Sequence, residues 1–206
     1  MPRPLIALIA VLLALPTALA TPPSARETAV FAGGCFWGIE GVYEHVRGVE
    51  SATSGYTGGS VASPTYRQVS SGRTGHAEAV RVVFDPAQVS YAQLLSIFFQ
   101  VAHDPTQLNR QGPDRGTQYR SAVFYQNDAQ RRAAQSAVER LTRAGTYGRR
   151  IVTEITALDR FYPAEDYHQD YMRHHPDQPY IVRNDAPKVT ELQRAFPSLY
   201  RASWGG

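Results

Sequence analysis

Apolar residues recur along this chain in two rhythms, alternating in short runs and falling at every third or fourth position in longer ones. The run Thr28-Ala29-Val30-Phe31-Ala32, closed by Gly33-Gly34, predicts a buried strand that ends in a tight turn. Ile39, Val42, Tyr43 and Val46 then stand at i, i+3, i+4 and i+7. They predict a helix with one apolar face, despite Gly38 and Gly41, that closes at Gly48. Residues 49–56 return as a strand before Gly58-Gly59, and residues 60–75, rich in Ser, Gly and Thr, form a surface loop.

Residues 77–84 are β-branched and partly alternating until Asp85-Pro86 stops them, which predicts another strand. Ser90 caps a helix over 91–102 that turns Leu94, Leu95, Phe98, Phe99 and Ala102 inward. A second long loop, 103–116, contains Pro105, Gly112 and Pro113. A strand over 119–126 follows, and Asn127 or Asp128 caps the longest helix, 129–143, which ends at Gly145. Residues 151–157 alternate as a strand, and Pro163-Ala164-Glu165 opens a last helix that runs through His174. Beyond Pro176 periodic signals are few. The order β-α-β-β-α-β-α-β-α predicts an α+β fold. Its first six elements match a ferredoxin-like split βαβ sandwich, with additional helices and long loops, and a single sheet carrying its helices on one face is the simplest packing. No internal repeat or second domain boundary interrupts it.

The amino terminus adds a targeting reading. Arg3 precedes an uncharged run over 5–15, followed by Pro16 and the small-residue triplet Ala18-Leu19-Ala20, the pattern of a cleavable secretory signal over 1–20. A membrane-spanning helix needs about 18 unbroken apolar residues. The expectation is a single catalytic domain over 21–206, exported to the periplasm or secreted, without a membrane anchor after cleavage, and a monomer by default.

Composition narrows the chemistry. With 206 residues, 43% of them hydrophobic and 19% charged, the chain can bury a core and is not a disordered or fibrous sequence. The net charge of +3 is scattered. Twenty of the 21 basic residues are arginine, and no concentrated stripe of the kind that binds nucleic acid is present. There is one cysteine, Cys35, which excludes an internal disulfide and a cysteine-rich zinc site.

Cys35 follows Gly33-Gly34, where the first strand turns into the first helix. N–H groups at a helix start, together with the helix dipole, favour a thiolate and hence a nucleophile. Phe36 and Trp37 come next and would stand beside the sulfur as an apolar wall suited to a small group such as a methyl. From these residues alone, a buried inert thiol with an aromatic core remains an even alternative.

Gly34-Cys35-Phe36-Trp37-Gly38 resembles the signature of the A-type peptide methionine sulfoxide reductases, and further blocks follow in that family's order. They are Gly55-Tyr56-Thr57-Gly58-Gly59, Thr74-Gly75-His76-Ala77-Glu78-Ala79-Val80, and His103-Asp104-Pro105-Thr106 with Asp114 and Gly116-Thr117-Gln118-Tyr119-Arg120-Ser121. The last is Phe161-Tyr162-Ala164-Glu165-Tyr167-His168-Gln169. The resemblance implies thiol-dependent reduction of methionine-S-sulfoxide in proteins, with the use of free methionine sulfoxide left open. By that resemblance Cys35 attacks the sulfoxide sulfur and becomes sulfenic acid, and Phe36 and Trp37 hold the methyl group. Glu78 is the acid, Tyr66 and Tyr119 donate hydrogen bonds to the departing oxygen, and Asp114 is a supporting carboxylate near the cysteine. The setting of Glu78 between Ala77, Ala79 and Val80 agrees, because desolvation raises a carboxyl pKa into the range of a general acid.

Family relatives often regenerate through further cysteines near the carboxyl terminus, and none stands in Leu199-Tyr200-Arg201-Ala202-Ser203-Trp204-Gly205-Gly206. The expected reductant is therefore external: a thioredoxin-like or glutaredoxin-like protein, or a small thiol, with no bound cofactor. Three other readings compete. Cys35 could pair with His45, His76, His103 or His168 as a hydrolase; His168, His174 and His175 could suggest a metal site on one late helix, although no carboxylate completes a set and none is expected; and the chain could be a thiol-based binding module.

Overall fold

A computed structural model describes residues 25–205, so the signal reading over 1–20 lies outside the described residues. The described chain runs β1 (Glu27–Gly33), α1 (Phe36–Glu44), β2 (Val49–Thr57), α2 (Tyr66–Ser70), β3 (Ala77–Phe84), α3 (Tyr91–Ile97), β4 (Arg110–Gln111) and β5 (Asp114–Arg115). It continues with β6 (Ser121–Tyr125), α4 (Asp128–Arg143), β7 (Glu154–Ala157), β8 (Phe161–Pro163), α5 (Tyr171–His174) and α6 (Ala186–Ala195). Short 3-10 turns cover Thr117–Tyr119 and Asp166–His168, and π-helical turns cover Phe98–Ala102 and Ile181–Asp185.

Six strands form one mixed sheet in the order β7-β6-β1-β3-β2-β8. All neighbours are antiparallel except the β6–β7 pair. Alternation along the strands divides the buried residues into two layers, as the two-residue strand period requires. Ala29, Phe31, Val80, Val82, Phe84 and Val123 face the main core with Ile39, Val42 and Tyr43 of α1, Leu94 and Leu95 of α3, and Ala134 and Ala137 of α4. Val30, Ala32, Ala77, Ala79, Ala122 and Phe124 face the other side, where Leu158 and Phe161 pack on them. These helices therefore share one face in an α+β fold. Caps set their starts: Ser90 and Gln93 form a reciprocal box at α3, and Asn127 accepts from the Gln130 N–H at α4.

Several expectations change. The helix expected over 163–174 is absent; β8, a 3-10 turn and the four-residue α5 take its place. Tertiary hydrogen bonds replace the helical ladder. Gln169 accepts from the Ser54 N–H and donates to the Ser54 and Ala164 carbonyls, while Asp170 adopts a left-handed φ of 52° that breaks the path. His168, His174 and His175 consequently do not share a helix. The 103–116 loop contains the β4–β5 hairpin, the helix from 91 widens into its π-turn after Ile97, and the segment beyond Pro176 forms α6.

Candidate active site

Gly34, with φ +105°, makes the turn that only a residue without a side chain adopts easily, and Gln111 of the β4–β5 hairpin fills the space where a Cβ would stand. The turn delivers Cys35 to the N-cap of α1, half-buried. Its neighbours take the first free N–H groups of the helix apart. The Trp37 N–H interacts with the sulfur, whereas the Phe36 N–H donates to Glu78 Oε2 at 3.2 Å.

The helix start does not make Cys35 a resting thiolate. Burial pushes its thiol well above the ordinary value, the charges of Glu78 and Asp185 push the same way, and the Trp37 N–H and Lys188 oppose them without prevailing. The expectation of a lowered pKa is corrected on this point: desolvation and two acidic neighbours outweigh the Trp37 N–H and Lys188.

Glu78 is 1% exposed on β3, opposite Tyr56 of β2 and on the main-core side of the sheet. Burial raises its carboxyl to about 8, the Phe36 N–H opposes this, and the charge of Asp114 adds to the rise. At neutral pH Glu78 is therefore a protonated acid adjoining the cysteine. Tyr66 opens α2 and Tyr119 ends the 3-10 turn before β6, both half-buried. The charges of Glu78 and Cys35 act on both hydroxyls, whose pKa values lie above the ordinary range chiefly through burial. Glu165 fixes Tyr66 from behind: Oε1 accepts from the Tyr66 N–H at 2.9 Å, and Oε2 from the Tyr56 hydroxyl at 2.9 Å. Asp114 accepts a short hydrogen bond from the Tyr180 hydroxyl, and burial raises its carboxyl pKa.

The aromatic pair divides its work. Phe36 is 0% exposed, packed against Tyr56 and His168, so Trp37 is the member of the pair with open surface. Trp37 stacks on Tyr171 with ring centroids 3.7 Å apart, meets Tyr180 edge-on, and donates its Nε1–H to His168 Nδ1 at 3.2 Å. The site thus gathers Cys35, Trp37, Glu78, Tyr66, Tyr119 and Asp114, with Phe36 behind them.

Sequence reading missed Glu165, Tyr171, Tyr180, Asp185 and Lys188 as contributors and assigned His168 only to rival schemes. Glu165 and His168 stand inside a quoted block, which was their available signal. Three of the four histidines considered for a hydrolase pair are held by other partners. His45 Nδ1 bonds the Gly41 carbonyl, His76 lies between the Gly59 N–H and the Val61 carbonyl, and His103 between the Phe98 carbonyl and Ser121. Among the described residues no group of three His, Cys, Asp or Glu side chains is arranged to hold a metal ion.

A family model described as peptide methionine sulfoxide reductase matches residues 27–199. The chain is 56% identical over 174 residues to peptide methionine sulfoxide reductase MsrA 2 of Mesorhizobium japonicum, covering 84% of this chain and 89% of that protein. Among solved structures it resembles Mxr1 of Saccharomyces cerevisiae in reduced form, with a TM-score of 0.68 and 34% identity over 77% of this chain and 90% of that one. It also resembles methionine sulfoxide reductase A of Corynebacterium diphtheriae, with a TM-score of 0.65 and 39% identity over 76% of this chain and 77% of that one.

Proposed function

We propose, since this chain belongs to the peptide methionine sulfoxide reductase family and is an oxidoreductase acting on sulfur, that Cys35 reduces methionine-S-sulfoxide residues of oxidised proteins and peptides. The observation that supports this reading most is the Phe36 N–H to Glu78 Oε2 hydrogen bond, one residue from Cys35, with burial raising the Glu78 carboxyl to about 8. The substrate methyl rests on Trp37, backed by Phe36, and the sulfoxide oxygen faces Glu78, Tyr66 and Tyr119. Asp114 contributes through its charge, which favours the protonated form of Glu78.

The reaction balances without a net proton. Cys35 attacks the sulfoxide sulfur, forming an S–S bond and giving up its thiol proton, as Glu78 protonates the oxygen; the hydroxyl then passes from the substrate sulfur to the Cys35 sulfur as the S–O and S–S bonds break, methionine leaves as the thioether, Cys35 ends as S–OH, and the thiol's proton restores Glu78. Because thiol plus sulfoxide gives sulfenic acid plus thioether, a resting thiol and a resting acid are the suitable starting pair.

With one cysteine in the sequence, regeneration uses an external thiol. A first thiol displaces water from the sulfenic acid to form a mixed disulfide, and a second releases Cys35. A thioredoxin-like or glutaredoxin-like protein or a small thiol fits that role, and no bound cofactor is required. The signal pattern over 1–20 supports export, with reductant delivered outside the cytoplasm. The inner strand order β6-β1-β3-β2, with α1 and α3 as crossovers, supports the ferredoxin-like split βαβ description.

Turnover of peptide substrates tests the reading. With dithiothreitol as reductant, the S epimer of a methionine sulfoxide peptide is reduced by wild type and not by Cys35→Ser. Ester hydrolysis in its place, or reduction by the serine variant, overturns it.

A further inference from the structure

Lys188 is the one lysine among 21 basic residues, and its charge reaches the Cys35 sulfur. It stands in the first turn of α6, its side chain 18% exposed, and donates to Asp185 Oδ1 at 3.0 Å. Asp185, at the N-cap of α6, is 0% exposed, and its second oxygen, Oδ2, is buried without a partner. Both groups rest on Gly38, in the first turn of α1. A Cβ there would lie 2.6 Å from Lys188 Nζ and nearer still to Asp185 Oδ1. The ion pair and the cysteine therefore share the N-terminal end of one helix.

We propose that this pair tunes how readily the cysteine ionises: Lys188 is a positioning residue whose ammonium favours the Cys35 thiolate, and Asp185 holds that ammonium on Gly38 while restraining its effect. The inference rests on the assignment of Cys35 as nucleophile.

Three features support it. Buried ion pairs are poor sources of stability, and apolar residues of similar volume often serve as well, so an orphaned carboxylate oxygen is a cost that packing does not explain. The charged side chains that act most on Cys35 are Glu78 from β3 and Asp185 from the π-turn, which oppose the thiolate, and Lys188 from α6, which favours it. The hydroxyls of Tyr66, Tyr119 and Tyr180 are also coupled to the sulfur. The choice of lysine also fits the space, because an ammonium is a compact point charge where the guanidinium used at every other basic position is a broad fork. In a water-poor site a single cation has a large influence on the anion that must attack.

The test reads Cys35 alone, since no other cysteine reacts. Iodoacetamide alkylation is followed against pH for wild type, Asp185→Asn and the Asp185→Asn/Lys188→Met double variant. The midpoint in Asp185→Asn falls below that of wild type, because the ammonium is unopposed. Adding Lys188→Met raises it again by about one pH unit, making alkylation near neutrality about tenfold slower. Superimposable profiles for the single and double variants overturn the inference. So does a fall on removing the lysine, which would mean that α6 merely shields the sulfur from water. If Asp185→Asn fails to fold, Lys188→Met against wild type carries the same test, with a raised midpoint supporting the inference and an unchanged or lowered one overturning it. Alkylation needs no sulfoxide, so this outcome and the outcome of the sulfoxide reaction are independent.

Discussion

The backbone N–H of Phe36 donates to Glu78 Oε2 at 3.2 Å, joining the residue after the cysteine to a carboxyl 42 positions later in the chain. One bond fixes Glu78 relative to the start of the helix that Cys35 caps, because Phe36 is the first residue of α1 and Glu78 lies in the middle of the sheet. The distance between them does not depend on a loop.

Removing the acid should stop the first step while leaving the fold. Glu78→Gln keeps the shape and the acceptor for the Phe36 N–H but has no proton to give. The first-turnover rate is expected to fall by about 10²–10⁴, the usual contribution of a general acid. In wild type the rate falls as pH rises through about 8, where Glu78 loses its proton, and this limb is missing in the variant. Rapid-quench measurement of methionine release against pH checks both.

Trp37→Phe keeps an aromatic face but loses the bond to His168 Nδ1 at 3.2 Å. A hydrogen bond of this kind is worth about 1 kcal/mol, so KM for a sulfoxide peptide is expected to rise about fivefold with a smaller change in kcat. Steady-state kinetics with dithiothreitol separate the two.

Gly38→Ala and Gly41→Ala should part company. Alanine in a helix interior normally stabilises by about 0.5–1 kcal/mol relative to glycine. At residue 38 the new Cβ meets the buried Asp185–Lys188 pair, whereas at residue 41 it meets the flexible end of Met172. Thermal melting is expected to show a clear loss for Gly38→Ala and a smaller change for Gly41→Ala.

Glu40 and Glu44 make stability depend on pH. Burial raises their carboxyls to about 8 and about 9, and the hydrogen bond that the protonated Glu44 donates to the Asp170 side chain adds to the rise at Glu44. Both folded values lie above the unfolded one near 4.5, so their contribution is complete below that value and is lost as pH rises through 8 and 9. The melting temperature is expected to decline between pH 6 and 10, and to decline less steeply in Glu40→Gln/Glu44→Gln. The slope is the readout.

The same two glycines show what the sequence pattern could and could not convey. Period and caps located β1, α1, β3, α3 and α4, because each buries an apolar stripe and starts with its own local signal. Gly38 and Gly41 looked like tolerated defects in α1; they are the places where Asp185, Lys188 and Met172 dock, which depends on chain more than 130 residues away. The late segment misled for the opposite reason. Residues 163–174 carry helix formers and a capping proline, yet the Gln169 bonds to Ser54 and the left-handed Asp170 override them. Helix α6 left a faint trace in Val189, Leu192 and Phe196, at i, i+3 and i+7, which pack on the core. Of the candidate site, Cys35, Glu78 and Tyr119 stand inside the blocks that carry the resemblance, whereas Tyr66 stands outside them and was named by the resemblance alone. Tyr180 on Asp114 and Lys188 on Asp185 were not readable, since they depend on how α6 closes over α1.

The most direct measurement is the stoichiometry of a single turnover. Reduced wild-type protein, freed of reductant and mixed with a methionine-S-sulfoxide peptide, should release one methionine per chain and leave one sulfenic acid, trapped at Cys35 by dimedone and located by mass spectrometry. Cys35→Ser should give neither. Methionine release by the serine variant, or release from wild type with Cys35 still a free thiol, would contradict Cys35 as the atom that takes the oxygen.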